Sequence, residues 1–366
     1  MSTARLQKWF PWALSPIICN GPMIGAASPA MATEVTKAGG IGFLSCVFDV
    51  NPDSAQLTKL EAELVEAKTL LGGSDAGAGA AAGPLRVGVS FITGHSSIGH
   101  FSSTALPIIV KHRPAAVWLF APAASPDQRG PHGAVISALR KSLPAGAGPR
   151  VFVQVGNVGA AREAVRDGAD VVVCQGIDAG GHQFRRGAGV VSLVPEVRRM
   201  LDEEDEFSSS DVGLLAAGGI VDDKGVAAVT MLEAEGVVMG TRFTVAEESV
   251  YPDHRKQLIL HTVDGGSSTL KSPFHDQLNS NALWGPLYDG RAIAGPIHEK
   301  FLSGTSLDEC RKSLKEDYSA EESVRMINTW AGTGVGLVRK AQPAGEIVRE
   351  VREGAKAHMR KIAGHL

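Results

Sequence analysis

The chain has 366 residues, a formal net charge of −3 and 44% hydrophobic content. That suffices for one large domain plus a smaller one, and there is none of the cationic excess a nucleic-acid partner would call for. Aromatic residues reach only 5% against 43 glycines, a balance that suits tightly packed strand and helix layers better than an all-β sandwich.

Met1 to Pro16 carries Trp9, Phe10 and Trp12 but no long apolar core, so it does not read as a signal peptide. No stretch reaches the roughly 20 apolar residues of a membrane span. Cys19, Cys46, Cys174 and Cys310 are scattered, with no CxxC pair and no Cys/His ligand spacing. This argues against a structural zinc and favours a reducing, cytoplasmic location.

Short β-branched runs then alternate with helical stretches, the pattern of βαβ units and a parallel sheet. The first strand starts at Pro16 to Asn20, and a helix follows over Ser28 to Lys37, with Ser28 as N-cap and Pro29 at the first helical position. A strand at Ile41 to Ser45 and a helix over Ser54 to Leu71 come next. The Gly/Ala-rich run from Gly72 to Pro84 reads as a loose surface loop. Strands are expected at Arg86 to Ile92, Ala115 to Phe120 (after a helix around Ala105 to Lys111) and Val151 to Val155, with a helix over Gly159 to Asp167. Val171 to Gln175 is an apolar run suited to a strand buried on both faces. The acidic stretch Asp202 to Asp211 reads as a solvated loop. Gly213 to Ala217, a helix over Gly225 to Leu232, and Gly236 to Met239 complete eight strand candidates, which a right-handed (β/α)8 barrel pairs most economically.

From Tyr251 to Ala320 the rhythm breaks. This polar, proline-containing stretch lacks strand-like runs and reads as an inserted, mainly helical domain over the barrel mouth. The expected division is 1–250 for the barrel, 251–320 for the insert, and 321–366 for the return to the barrel, closed by a helix over Pro343 to Ile362.

Two signals carry the chemistry, the first of them a pair of segments. Leu214 to Ile220 (LLAAGGI) and Gly236 to Phe243 (GVVMGTRF) each end an apolar strand in small residues, at the barrel end where active sites form. Ala217, Gly218, Gly219, Gly240 and Thr241 would let a phosphate approach the backbone closely. Tight turns alone would also explain these glycines. The second signal, Val171 to His182 (VVVCQGIDAGGH), ends a buried strand in Gln175, then Gly180, Gly181 and a loop histidine. The Gln175 amide can donate and accept at the edge of a flat heterocycle, and the paired glycines let backbone lie against it. His182 would project into the mouth as a base titrating near neutrality. Just past the first strand, Gly21, Pro22 and Met23 offer backbone and a soft thioether to a ring. In the insert, Tyr288 and Arg291 are candidates for the cavity wall or for a surface turn, and His261, His275 and His298 read as solvated. Trp330 and Gly332 fit either the site or the core.

Together AAGGI…GVVMGTRF, QGIDAGGH, GPMIG…AGGIGF and TWAGTGVGLVRKAQPAGEIV resemble the nitronate monooxygenases, once called 2-nitropropane dioxygenases, from about Pro16 to Ile362. The resemblance implies a TIM barrel with an inserted substrate domain, non-covalent FMN and no metal. It implies His182 as catalytic base, and flavin contacts from Gly21, Pro22, Met23, Gln154, Gln175, Gly180, Gly181, Ala217, Gly218, Gly219, Gly240 and Thr241. The implied reaction takes a nitroalkane or its nitronate, with O2, to a carbonyl compound and nitrite. A small-molecule substrate and O2 are the expected partners, with no nucleic acid or membrane, and a homodimer is the candidate assembly. Two departures stand out: Ser90 replaces a frequent Asn in the third-strand motif, and no His ends the fourth strand at Ala116 to Pro122. An NAD(P)H-dependent enoyl or quinone reductase, or a tailoring oxidase of secondary metabolism, are the enzymatic alternatives. A phosphate-binding isomerase and an inactive flavin-binding scaffold are the others.

Overall fold

The computed structural model describes residues 4–72, 83–122, 131–144, 146–281 and 283–364; most of the glycine-rich run expected as a loop (73–82) lies outside them. The strands, in chain order, are β1 (Ile17–Asn20), β2 (Phe43–Val47), β3 (Leu85–Ile92), β4 (Pro114–Phe120), β5 (Arg150–Val155) and β6 (Val171–Gln175). They continue with β7 (Gly181–Phe184), β8 (Gly213–Ala217), β9 (Gly236–Met239), β10 (Thr269–Ser272) and β11 (Tyr288–Ile293).

The eight expected strands pair in parallel in the order β1-β9-β8-β6-β5-β4-β3-β2. A parallel bridge from Cys19 to Ile41 brings the last strand back to the first. At that seam the ladder is thin, and a side chain completes it. Buried Asn20 donates from Nδ2 to the Phe43 carbonyl at 2.8 Å, and its Oδ1 accepts from the Phe43 N–H at 2.9 Å. The Asn20 amide thereby satisfies backbone groups that closure would otherwise orphan.

Period-two alternation sorts the strand residues into two cores. On β6, Val172 and Cys174 face the outer helices, whereas Val171 and Val173 fill the barrel interior. On β8, Leu214 and Ala216 point outward and Leu215 and Ala217 inward. Inside, Phe43 packs edge-on against Trp118 at 5.2 Å and Phe152 at 5.3 Å. Leu6 and Phe10, from the N-terminal segment, join this inner cluster. The outer helices start where the sequence places their caps: Ser28 Oγ accepts from the Met31 N–H at 3.1 Å, and Asn157 and Asp222 cap in the same way. The acidic stretch after the helix Val190–Glu203 is more structured than a solvated loop, because Glu204 pairs with Arg162, Glu206 with Arg166, and Phe207 is buried. No described helix is long and apolar enough to cross a membrane.

The insert corrects one expectation. It holds the helices Asp253–His261, Phe274–Leu278, Pro296–Leu302 and Leu307–Glu316, but β10 and β11 lie within it as well. They pair antiparallel with each other and with β7, in the order β10-β11-β7. These strands are short, polar and interrupted by Gly290, so they show no apolar alternation, and their pairing with β7 joins residues far apart in sequence.

Candidate active site

A cavity of about 830 Å³ opens at the C-terminal ends of the barrel strands, within the usual size for a small-molecule or cofactor site, about 300–1,000 Å³. Gly21, Pro22 and Met23 after β1, Gln154 on β5 and Gln175 on β6 all line it. So do Gly180, Gly181 and His182, then Ala217, Gly218 and Gly219 after β8, and Gly240 and Thr241 after β9. The expected base and every expected flavin-contacting residue are thus gathered around one space.

The strand pattern explains why. Gln154 and Gln175 stand at the top of inward-facing rows, above Phe152 and Val173. Gln154 Nε2 donates to Gln175 Oε1 at 2.6 Å, and Gln175 Nε2 donates to the His182 carbonyl at 3.3 Å. The two amides are fixed in series and present polar edges on an otherwise apolar floor.

The glycines divide into two kinds. A Cβ built on Gly181 (φ +72°) meets nothing within 4 Å, and one on Gly240 meets only Met23 Sδ, at 3.7 Å. At those positions a flat ring or a phosphate can rest on bare backbone. A Cβ on Gly180 would fall 2.5 Å from the Ala331 carbonyl carbon, and one on Gly218 (φ +106°) 2.8 Å from the Gly176 oxygen. There glycine serves close backbone packing. Thr241 Oγ1 accepts from the Gly332 N–H at 3.0 Å, which ties the β9 turn to the segment that rejoins the barrel. The space, the amide edges and the bare backbone fit a flavin with its phosphate tail.

His182 is not on a loop but on β7, where it pairs with Gly290 of β11. Its Nε2 lies 2.9 and 3.0 Å from the two carboxylate oxygens of Asp276. Its ring stacks on Trp284 with centroids 3.7 Å apart and planes 8° from parallel, and Trp330 sits 4.8 Å away. Trp330 comes this close because β11 has glycine opposite: a Cβ on Gly290 would lie 2.8 Å from the indole Cη2. Asp276 went unrecognised in the sequence, and Trp284, at the head of the stretch that holds Tyr288 and Arg291, was not singled out. Asp276 lies in a helix of barely more than one turn, Phe274–Leu278, too short to carry a periodic signal in the sequence.

Other insert candidates lie elsewhere. Tyr288 is buried, donates to the Pro122 carbonyl at 3.0 Å and packs on Phe120 and Phe184. Arg291 donates to the Ile177 carbonyl at 3.2 Å and to Thr269. Both hold β11 in place rather than line the cavity. His261 is exposed, as expected, but His275 and His298 are 1% and 0% exposed. Burial pushes the His275 imidazole down to about 3, so it stays neutral beside the site. Trp330 and Gly332 do line the cavity. Of the two departures, Ser90 is fully buried, and the end of the fourth strand offers Phe120 as an aromatic wall. Cys46 also borders the cavity, with its thiol pushed up to about 12 by burial, so it acts as an apolar group.

A model of the nitronate monooxygenase family matches residues 145–354. A nitronate monooxygenase of Neurospora crassa is 46% identical over 98% of this chain and 94% of its own length. Nitronate monooxygenase npaC of Metarhizium robertsii is 33% identical over 99% and 97%. Among solved structures, FabK from Thermotoga maritima superposes with a TM-score of 0.71 at 22% identity, covering 99% of both chains. Nitroalkane oxidase from Streptomyces ansochromogenes gives 0.69 at 21%, over 98% and 99%. These two likenesses establish the barrel fold.

Proposed function

The chain belongs to the nitronate monooxygenase family, and on that premise we propose that it oxidises alkyl nitronates, and the nitroalkanes that ionise to them, to a carbonyl compound and nitrite, using FMN and O2. The observation that carries this reading is the His182 imidazole, which shares a cavity with the glycine turns, the paired amides and a second histidine, His95.

Bound FMN supplies the redox step. Bare backbone at Gly181 and Gly240 leaves room for it, Met23 offers a thioether to a ring face, and Gln154 and Gln175 address a polar ring edge. The insert, residues 251–320, walls the substrate side with Asp276, Asn279 and Trp284. A neutral nitroalkane loses its α-proton to His182. The C–H bond breaks, its electron pair stays on the substrate as the nitronate, and the proton resides on the imidazole. A pre-formed nitronate omits that step.

Anaerobic mixing tests the reading. Holoprotein mixed with ethylnitronate loses its visible flavin absorbance, and mixing with NADPH leaves it unchanged. Bleaching by NADPH and not by the nitronate would make the chain a flavin reductase instead.

A further inference from the structure

We propose that Asp276 is the positioning residue for His182, and that the imidazole accepts the substrate proton on Nδ1. This deepens the reading of His182 as base and rests on it.

The geometry assigns the nitrogens. Asp276 presents both oxygens to Nε2, at 2.9 and 3.0 Å, and a carboxylate can only accept there. Nε2 therefore carries the hydrogen, and the lone pair sits on Nδ1, which has no hydrogen bond among the described residues. Both side chains are close to nine-tenths buried, so little water competes for the contact and the charge-assisted bond is at its strongest. Once Nδ1 takes a proton the ring is cationic. Asp276 then faces the ring at its edge, and the Trp284 face lies stacked on it with centroids 3.7 Å apart. The pair is thus arranged for the step in which a neutral substrate is ionised.

The carboxylate is held from behind. Phe274 stacks on His298 with centroids 4.3 Å apart and planes 9° from parallel. Phe274 and Leu278 sit in the insert's own core with Ile297 and Cys310. Arg311 caps the far end of the short helix by donating to the Leu278 and Gln277 carbonyls. The insert therefore reaches the reaction through a fixed carboxylate, while the barrel supplies the base.

The test compares Asp276→Asn, Asp276→Glu and His182→Asn as flavin-loaded proteins, each with nitroethane and with ethylnitronate. Asp276→Asn keeps the side-chain volume but loses the charge. It is expected to lower kcat/KM for nitroethane by about 10²-fold, as misorienting a base does, and to lower ethylnitronate turnover by no more than about threefold. The isotope effect with α-deuterated nitroethane should rise, and Asp276→Glu should recover at least about tenfold of the loss. An equal loss on both substrates, or no loss on either, overturns the inference. If His182→Asn removes nitroethane turnover while Asp276→Asn matches the parent, this inference falls and the base assignment stands. If His182→Asn keeps nitroethane turnover, the base assignment itself falls and takes this inference with it.

Discussion

The barrel and the insert contribute to one cavity in opposite ways. The barrel side combines bare backbone, small residues and two amides with an aromatic wall of Phe48, Trp118 and Phe120, placed by a strand pattern that repeats eight times. The insert side is made of a carboxylate, asparagines and an indole on short, irregular elements. His182 stands at the junction, on a barrel-loop strand paired to an insert strand. A repeated scaffold can therefore hold the cofactor site constant, while substrate-side chemistry is set by a few side chains that the scaffold does not dictate.

That contrast can be broken on the barrel side first. Gly240 has ordinary right-handed torsions, so a side chain there costs no backbone strain. Gly240→Leu should fold normally and weaken flavin binding by about 10–100-fold, the cost of overfilling a packed site, read by titrating apoprotein with FMN. Unchanged affinity would mean that this turn does not meet the cofactor. Next, Asn20→Ala removes the amide that closes the seam between β1 and β2. It should cost about 1–3 kcal/mol of stability by orphaning the buried Phe43 N–H and C=O, measured by urea unfolding. On the insert side, Trp284→Ala should leave flavin affinity and melting temperature nearly intact and lower kcat/KM for nitroethane by about tenfold, the loss of a ring face against an imidazolium. An equal loss with ethylnitronate would place Trp284 in general substrate binding.

The smallest expected effect concerns acid. Burial pushes His132 down to about 4 and His275 to about 3, whereas in the unfolded chain both titrate near the ordinary value of about 6.5. As pH falls from about 6.5 toward 4, the unfolded chain binds protons that the native one refuses, so stability declines over that window. His132→Gln should lessen the decline between pH 7 and pH 5.5 by about 1 kcal/mol in urea titrations.

The same contrast explains what the sequence disclosed. The eight barrel strands were legible because burial on both faces leaves continuous apolar runs, and β6, β8 and β9 end where the sequence places them. The cavity residues were legible for a related reason: strand ends followed by small residues converge in a barrel mouth whatever the loops do. What escaped was set by distance. β10 and β11 are recognisable only once paired with β7, and Asp276 meets His182 across 94 positions. Composition also misled for His275 and His298, whose polar neighbours in sequence conceal a core built by Phe274, Ile297 and Cys310. Gly180 and Gly218 pointed to the right place for a partly different reason, since their missing side chains make room for protein backbone as well as bordering the cavity.

The most direct measurement is steady-state turnover of His182→Asn with its flavin still bound, on nitroethane and on ethylnitronate side by side. A loss of about 10²-fold or more is expected on the neutral nitroalkane, with a far smaller loss on the nitronate. Equal losses on the two substrates would contradict His182 as the base.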